Sequence, residues 1–209
     1  MALLPINRLP KGSNLNCLIL YGCYDWCVRP IFTIHAGELL AGSYIEAKFK
    51  NLNVWIPSKD TGVDLLVTDK SNRKTAPLQV KFSKDFLPGH ATEFLRKNLV
   101  AWGWWTFDLS KLKATRADLW VLVSMSFGSS EAQYVVIPSG KLYEICTDIH
   151  GHNNKCHVYL TVTRHKRCWA TRGLSKDDMI AVAKNEFTHE KRDFSQWLNN
   201  WKPLENLSQ

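Results

Sequence analysis

The chain has 209 residues, 45% of them hydrophobic, so it is long enough and apolar enough to bury the core of one domain. Its net charge of +8 favours a polyanionic partner, and no apolar run reaches the roughly 18 residues of a membrane helix. Six scattered cysteines and the lack of a recognisable signal peptide are typical of free thiols in a reducing compartment, so we expect a cytoplasmic protein without membrane association.

Prolines and a glycine interrupt residues 1–33, which predict no clear helix or strand. We interpret this segment as an N-terminal arm that packs on the domain or on a partner subunit. Cys17, Cys23 and Cys27 lie in it at spacings of six and four residues. They could contribute to a metal site, although the segment contains no CxxC pair.

Residues 34–50 predict the first helix, because apolar residues recur there at roughly helical spacing. Glu38 and Glu46 fall on the flanks of this stripe and face either solvent or a site. A short strand, Val54–Ile56, follows and ends at Pro57. The stripe consists of Ile34, Leu39, Leu40, Ile45 and Phe49.

The next segment predicts two strands joined by a tight connection. Val63–Thr68 and Leu78–Phe82 are apolar runs with polar flanks. The connection Asp69–Lys74 is charged and rich in turn formers, which is typical of a hairpin tip. Gln79 and Lys81 are two positions apart on the second strand, so their side chains point to the same face.

Pairing of these strands would bring Asp64, at the start of the first, next to Gln79 and Lys81 at one end of a sheet. A carboxylate, an amide oxygen and an ammonium group on one small patch form a site for a hard cation and an activated water. An ordinary hairpin with a solvated polar face is the alternative interpretation.

After Pro88-Gly89, the sequence predicts a second helix at His90–Ala101, followed by an aromatic cluster. Three roles are open for His90. It caps this helix, it faces solvent, or it contacts a phosphate. The aromatic cluster either stacks nucleic-acid bases or belongs to the core or a dimer interface. Its members are Trp102, Trp104, Trp105 and Phe107.

Two apolar runs, Asp118–Ser124 and Gln133–Ile137, predict buried strands, and a short helix toward Ile145 follows a Pro-Ser-Gly turn. The segment Cys146–His157 contains two cysteines and three histidines. It indicates either a zinc loop or a polar surface loop. Its spacings match no structural zinc pattern. Val158–Thr163 predicts the next strand.

Basic residues dominate Lys155–Lys176, which contains no acid. Lys and Arg in such a stretch displace counterions from DNA, so this is the best candidate for phosphate contacts, with a solvated basic edge as the alternative. Two helices are then predicted, Lys176–Phe187 with Ser175 as N-cap and Arg192–Trp201 with one apolar face. The candidate nucleic-acid-binding residues are Lys155, Arg164, Lys166, Arg167 and Arg172.

Asp64 followed by Gln79-x-Lys81 resembles the active-site pattern of the PD-(D/E)XK nuclease superfamily, which includes restriction endonucleases and archaeal Holliday-junction resolvases. Gln79 stands where the family pattern has an acid. The resemblance covers residues 34–124 in the order α-β-β-β-α-β, and it implies an α/β restriction-endonuclease-like core with a mixed central sheet flanked by helices. The expected division is an N-terminal arm (1–33), a nuclease core (34–145), and a basic strand-loop and helical C-terminal extension of the same domain (146–209).

The resemblance also implies a magnesium-dependent DNA endonuclease, with Mn²⁺ as an alternative metal. Asp64, the Gln79 amide oxygen and the Val80 carbonyl would hold the cation, Lys81 would orient the attacking water, and Glu38 would reach toward the metal, with Glu46 in reserve.

The expected partners and the open alternatives complete the prediction. A homodimer is expected because cutting both strands usually needs two sites, and no organic cofactor is expected because the chain has no Gly-rich phosphate loop. Three alternatives stay open. They are an inactive nucleic-acid-binding member of the fold, a Holliday-junction-resolvase-like nuclease, and an interaction protein built on a Trp-rich surface.

Overall fold

The computed structural model describes residues 35–58, 62–83, 91–151 and 154–208. All of them belong to one compact unit, residues 32–209. The arm predicted at residues 1–33, with its three cysteines, lies outside the described residues, and so does His90.

Helices and strands alternate irregularly along the chain. None of the helices in the described ranges is long and apolar enough to cross a membrane. The elements are α1 Ala36–Lys48, β1 Leu52–Trp55, β2 Leu65–Asp69, β3 Thr75–Ser83, α2 Glu93–Asn98, β4 Leu99–Asp108, α3 Leu109–Lys113, β5 Leu119–Met125, β6 Ala132–Pro138, α4 Ser139–His150, β7 Lys155–Thr163, β8 Cys168–Ala170, α5 Lys176–Lys184 and α6 Lys202–Glu205.

Five strands form a mixed sheet in the order β1-β2-β3-β5-β6. β3 and β5 are parallel, whereas the other neighbours are antiparallel. A parallel pair needs a crossover connection, which here runs through α2, β4 and α3. Helix α1 packs on one face of the sheet and α4 on the other. The predicted α/β class with a mixed sheet flanked by helices is therefore confirmed.

Strand β4 was not predicted. The helix expected at His90–Ala101 is only the six residues of α2, and the chain then becomes extended. Along β4, Trp105 and Phe107 are buried whereas Trp104 and Thr106 are exposed. Burial that alternates with a period of two is characteristic of a strand, and β4 pairs with β7 over nearly its whole length.

A second sheet, in the order β4-β7-β8, covers one face of the first sheet together with α3 and α4. Phe107 from β4 meets Trp120 from β5 edge to face, with ring centroids 5.4 Å apart. Leu142 from α4 and Leu160 from β7 are buried in the same core. The aromatic residues after α2 therefore join the two sheets.

Helix α1 packs on the opposite face of the first sheet, against residues of β3 and β5. The predicted apolar stripe is wrong in part, because Leu39 is 58% exposed. The buried face is made of smaller residues, which let the helix approach the strands closely. Its members are Gly37, Glu38, Ala41, Gly42 and Ile45.

The helix predicted at Arg192–Trp201 is wrong. The chain forms two short 3₁₀ turns there, Glu190–Arg192 and Ser195–Trp197, before the four-residue helix α6. Phe194 is buried in the core between the two sheets, whereas Trp201 is buried in the core under α1. One helical face cannot serve two cores on opposite sides of a sheet, so the chain wraps around the sheet instead.

Candidate active site

The β2–β3 hairpin places the candidate residues. Leu65 lies opposite Leu78 in this antiparallel pair, and the Asp64 amide donates to the Leu78 carbonyl at 2.8 Å. Continuing this register by one step puts Asp64, the residue just before β2, opposite Gln79. The hairpin therefore brings the two residues together across fifteen positions of sequence.

Asp69 holds the other end of the same hairpin. Its Oδ1 accepts hydrogen bonds from the amides of Arg73 at 2.8 Å and Lys74 at 3.0 Å, and its Oδ2 accepts from the Ser71 hydroxyl. These bonds, the Ser71 hydroxyl first, lower the pKa of the Asp69 carboxyl from its ordinary value of 3.8. The turn that fixes the register thus depends on an ionised carboxylate.

The Asp64 carboxylate contacts two groups of β3. Its Oδ2 accepts from Gln79 Nε2 at 2.5 Å and from the Val80 amide at 2.7 Å. The Gln79 amide is oriented with its nitrogen toward Asp64. Its oxygen lies on the side of Gly62, 3.9 Å from where a Cβ on that glycine would be. The carboxylate and the amide therefore meet as the sequence predicts.

Among the described residues, no strand pairs with the end of β3 on the side of β2. β2 pairs with β3 only as far as Leu78, so Gln79–Ser83 extends beyond the start of β2. A residue in a strand directs its N–H and C=O to the same edge. The Val80 N–H points toward Asp64, so the Val80 carbonyl leaves β3 on that same side.

Lys81 shares the face of Gln79. In the parallel register Gln79 lies beside Trp120 and Lys81 beside Leu122, and both of these face the second sheet. The Lys81 carbonyl accepts a hydrogen bond from the Trp105 indole at 3.1 Å, which fixes this part of β3 against β4. Among the described residues, the Lys81 ammonium takes part in no ion pair.

Glu38 reaches the same part of β3 from the opposite face. Its Oε2 accepts from the His35 amide at 3.2 Å, a bond that caps the start of α1. Gly37 lies so close to β3 that a Cβ on it would be 2.7 Å from the Phe82 Cβ. Glu38 and Lys81 both border a cavity of about 480 Å³ between α1 and β3. The reserve candidate, Glu46, is exposed.

The candidate phosphate-binding residues are spread over the second sheet. Lys155 begins β7, and Arg164 follows the end of this strand, about 30 Å from Lys155 at about 3.3 Å per residue. The Arg164 Nε donates to the Lys97 carbonyl, and Arg167 pairs with Asp193 at 2.6 Å. Lys166 is exposed in the β7–β8 turn, and Arg172 is partly buried after β8. These residues therefore do not form one compact patch.

Most of the described part of Cys146–His157 is a helix end and a strand start, not the polar surface loop that was one of its two interpretations. Cys146 lies in α4 and Cys156 in β7, and both are buried between the sheets. A hydrogen bond with Cys156, followed by burial, raises the pKa of the Cys146 thiol. Of the zinc alternative, His152 and the His150 side chain lie outside the described residues.

The aromatic cluster after α2 is mainly core. Trp102, Trp105 and Phe107 are buried, whereas Trp104 is 46% exposed on the outer face of the second sheet. Trp104 lies beside Tyr159, with ring centroids 5.8 Å apart. The core interpretation is therefore correct for three of the four residues.

Two basic residues near the site were missed. Lys111 in α3 and Arg116 after it border the same cavity as Gln79 and Lys81. Both precede β5, the strand that runs parallel to β3. Their place at the site follows from the parallel pairing of β3 with β5, which the sequence alone does not signal.

The oxygen donors at this edge suit a hard divalent cation, although they carry little charge. Asp64 brings one negative charge, and Gln79 and the Val80 carbonyl bring neutral oxygens. In the parts of the chain that the structure describes, no three His, Cys, Asp or Glu side chains cluster as metal ligands. Gln79 would have to turn its amide over to present oxygen, which the near-identical shape of the two amide ends permits.

No protein-family model, curated protein or solved structure matches this chain significantly.

Proposed function

We propose that the chain is a metal-dependent endonuclease that hydrolyses DNA phosphodiester bonds on a restriction-endonuclease-like core. One observation carries the proposal. The Asp64 carboxylate is hydrogen-bonded to the Gln79 amide at 2.5 Å and to the Val80 amide at 2.7 Å, at the open end of β3, with Lys81 on the same face as Gln79.

The order of the elements supports the proposed core. Helix α1 precedes three antiparallel strands, and a crossover that begins with α2 leads to β5, parallel to β3. This is the α-β-β-β-α-β order of the resembled superfamily, with one strand, β4, inserted in the crossover. The insertion extends the domain on the side of Lys81, where β4 contacts β3 through Trp105.

A divalent cation bound by Asp64, Gln79 and the Val80 carbonyl would activate a water and neutralise charge on the phosphate. Asp64 is already oriented for this role, because two donors of β3 hold its Oδ2. Gln79 moves from donor to ligand by turning its amide over. The Val80 carbonyl is rigid, since it belongs to a strand paired on its other side with β5.

Lys81 provides a positive charge that forms no ion pair among the described residues. An ammonium at this position orients the attacking water and stabilises the charge that develops on the phosphate oxygens. Glu38 lies on the α1 side of β3, so we assign it a supporting role at the start of α1 rather than a place beside Asp64.

The decisive experiment is cleavage of plasmid, linear duplex and four-way-junction DNA with Mg²⁺ or Mn²⁺. Asp64→Ala should abolish cleavage, and Lys81→Ala should lower the rate by roughly a hundredfold or more. Lys70→Ala is the matched control, because Lys70 is exposed at the far tip of the same hairpin. Cleavage by Asp64→Ala at the rate of the wild type would refute the proposal.

A catalytically inactive DNA-binding protein is the second candidate. The observation that favours it is that the Gln79 amide satisfies the Asp64 carboxylate without a metal. Gln79→Glu separates the two. In an active nuclease limited by weak metal binding, the added charge should lower the metal concentration for half-maximal rate. In the inactive protein, neither form cleaves any of the three DNA substrates, and both bind DNA.

A further inference from the structure

A second group of cations faces the candidate site across an open cavity of about 610 Å³. Gln79 and Lys81 of β3 and Trp120 of β5 line one part of it. The end of α3 and the connection to β5 line the other, with Lys111 and Arg116 as the charged residues. Three positive charges therefore border one cavity next to the Asp64 carboxylate.

Within the described ranges, Lys81, Lys111 and Arg116 form no ion pair with an acid. Asp108 interacts electrostatically with Lys111 without an ion pair, and its carboxylate accepts hydrogen bonds from the Ser110 hydroxyl at 2.5 Å and the Lys111 amide at 3.1 Å. The cavity therefore favours an anionic occupant.

The connection that carries Arg116 is bound firmly to the sheet. The Asp118 amide donates to the Pro77 carbonyl of β3 at 2.9 Å, two residues before Gln79. The Ala117 carbonyl accepts from the Ser139 hydroxyl at the start of α4. Arg116 is exposed, yet its backbone is held against the strand that bears the candidate catalytic residues.

We propose that Lys111 and Arg116 bind backbone phosphates of the DNA strand next to the phosphate that is hydrolysed. This inference rests on the proposed nuclease function and deepens it by naming the contacts that position the substrate. Both residues would act on binding and orientation, whereas Lys81 acts at the reacting phosphate. Contacts to phosphates carry no sequence information, so the effect should be equal for all DNA sequences.

A purely structural role for Lys111 is the competing explanation. A cation in the last turn of a helix is stabilised by the helix dipole, and α3 carries Lys111 and Lys113 there. Lys113 is also exposed, but it does not line the cavity. Lys113→Ala therefore matches Lys111→Ala in the charge removed and in its place in the last turn of α3. Lys111 differs in lining the cavity and in its electrostatic interaction with Asp108.

The experiment that tests this proposal is binding of a fluorescent duplex DNA in EDTA, where no metal-dependent cleavage occurs, over a range of salt concentrations. The slope of log K against log salt should shrink by about 0.9 for each phosphate that the variant no longer neutralises. For the double variant Lys111→Ala/Arg116→Ala, the slope should shrink by about twice this amount. Its DNA affinity near 0.1 M salt should therefore fall by about tenfold or more. Arg116→Lys keeps the charge and should bind within a few-fold of the wild type.

A double variant with the slope of Lys113→Ala overturns the inference, even if wild-type DNA binding and cleavage are normal. The inference is also overturned if the DNA affinity of the double variant falls while its salt slope stays at the wild-type value. A wild-type protein that neither binds nor cleaves DNA overturns the proposed function and this inference together. Thermal unfolding of all variants serves as the folding check. Because Lys111, Lys113 and Arg116 are exposed, the variants should unfold at nearly the wild-type temperature.

Discussion

Two glycines of α1 provide a matched test of how the helix packs beside the site. Gly37 and Gly42 are both buried on the face of α1 that meets the sheet. A Cβ on Gly42 would be 3.7 Å from Val54 Cγ1 and 3.9 Å from Leu65 Cδ1, which is ordinary contact. A Cβ on Gly37 would be 2.7 Å from the Phe82 Cβ. The same substitution should therefore have opposite effects at the two positions.

The expected magnitudes follow from these distances. Gly42→Ala gains about 1 kcal/mol of helix propensity and should raise the free energy of unfolding by about that amount. Gly37→Ala gains less propensity, because Gly37 is the second residue of α1. Carbon atoms prefer about 3.5–4.0 Å, so α1 and β3 must separate by about 1 Å. Overpacking of this kind costs about 1–3 kcal/mol, so we expect a net loss of stability.

Urea unfolding followed by tryptophan fluorescence measures both effects, and 1 kcal/mol should shift the thermal midpoint by about 2–4 °C. Changes in the unfolded chain are the same for both substitutions, so they cancel in the comparison. Equal stability of Gly37→Ala and Gly42→Ala would refute this prediction. In that case α1 would not approach Phe82 closely, and the placement of Glu38 beside β3 would be wrong.

Two further predictions concern ionisation. Because the folded pKa of Asp69 is lowered from 3.8, its contribution to stability is present above that value and lost as the pH falls through the folded pKa. Asp69→Asn should therefore be less stable than the wild type at about pH 7, and the gap in urea midpoint should narrow toward about pH 3; an unchanged gap would contradict this. Burial raises the pKa of Cys168, and a hydrogen bond with Cys156 and burial raise that of Cys146. Iodoacetamide should modify Cys146 and Cys168 only after unfolding, as read by peptide mass mapping, and rapid labelling of the native protein would be inconsistent with their burial.

The hairpin at the candidate site was predictable because its signals are local. The turn between β2 and β3 is rich in turn formers, and the apolar runs on both sides of it set a register that a one-residue slip would destroy. This register is enough to bring Asp64 to Gln79. The structure adds the bond from the Val80 amide, which depends on how far β3 extends past β2 and has no sequence signature.

The surroundings of the hairpin were not predictable, because they depend on contacts between distant segments. Apolar residues of β4 match a helix nearly as well as a strand until their partner β7 is known. Lys111 and Arg116 were missed because their position at the site follows from the crossover into β5. The basic stretch after Lys155 is continuous in sequence, but an extended strand spreads it along the sheet.

The neutral side chain at position 79 acquires a physical role once the cations of the cavity are considered. Asp64, which is hydrogen-bonded to Gln79, brings one negative charge beside the cavity, whereas Lys81, Lys111 and Arg116 line the cavity with three positive charges. In the proposed nuclease such a site holds a divalent cation weakly by itself, and a DNA phosphate supplies the missing anionic ligand. Binding free energies are reciprocal, so metal and DNA should each raise the affinity for the other. A second carboxylate at position 79 would hold the metal without DNA and repel the phosphate. In the proposed nuclease, Gln79 would therefore make activation of the water depend on bound DNA.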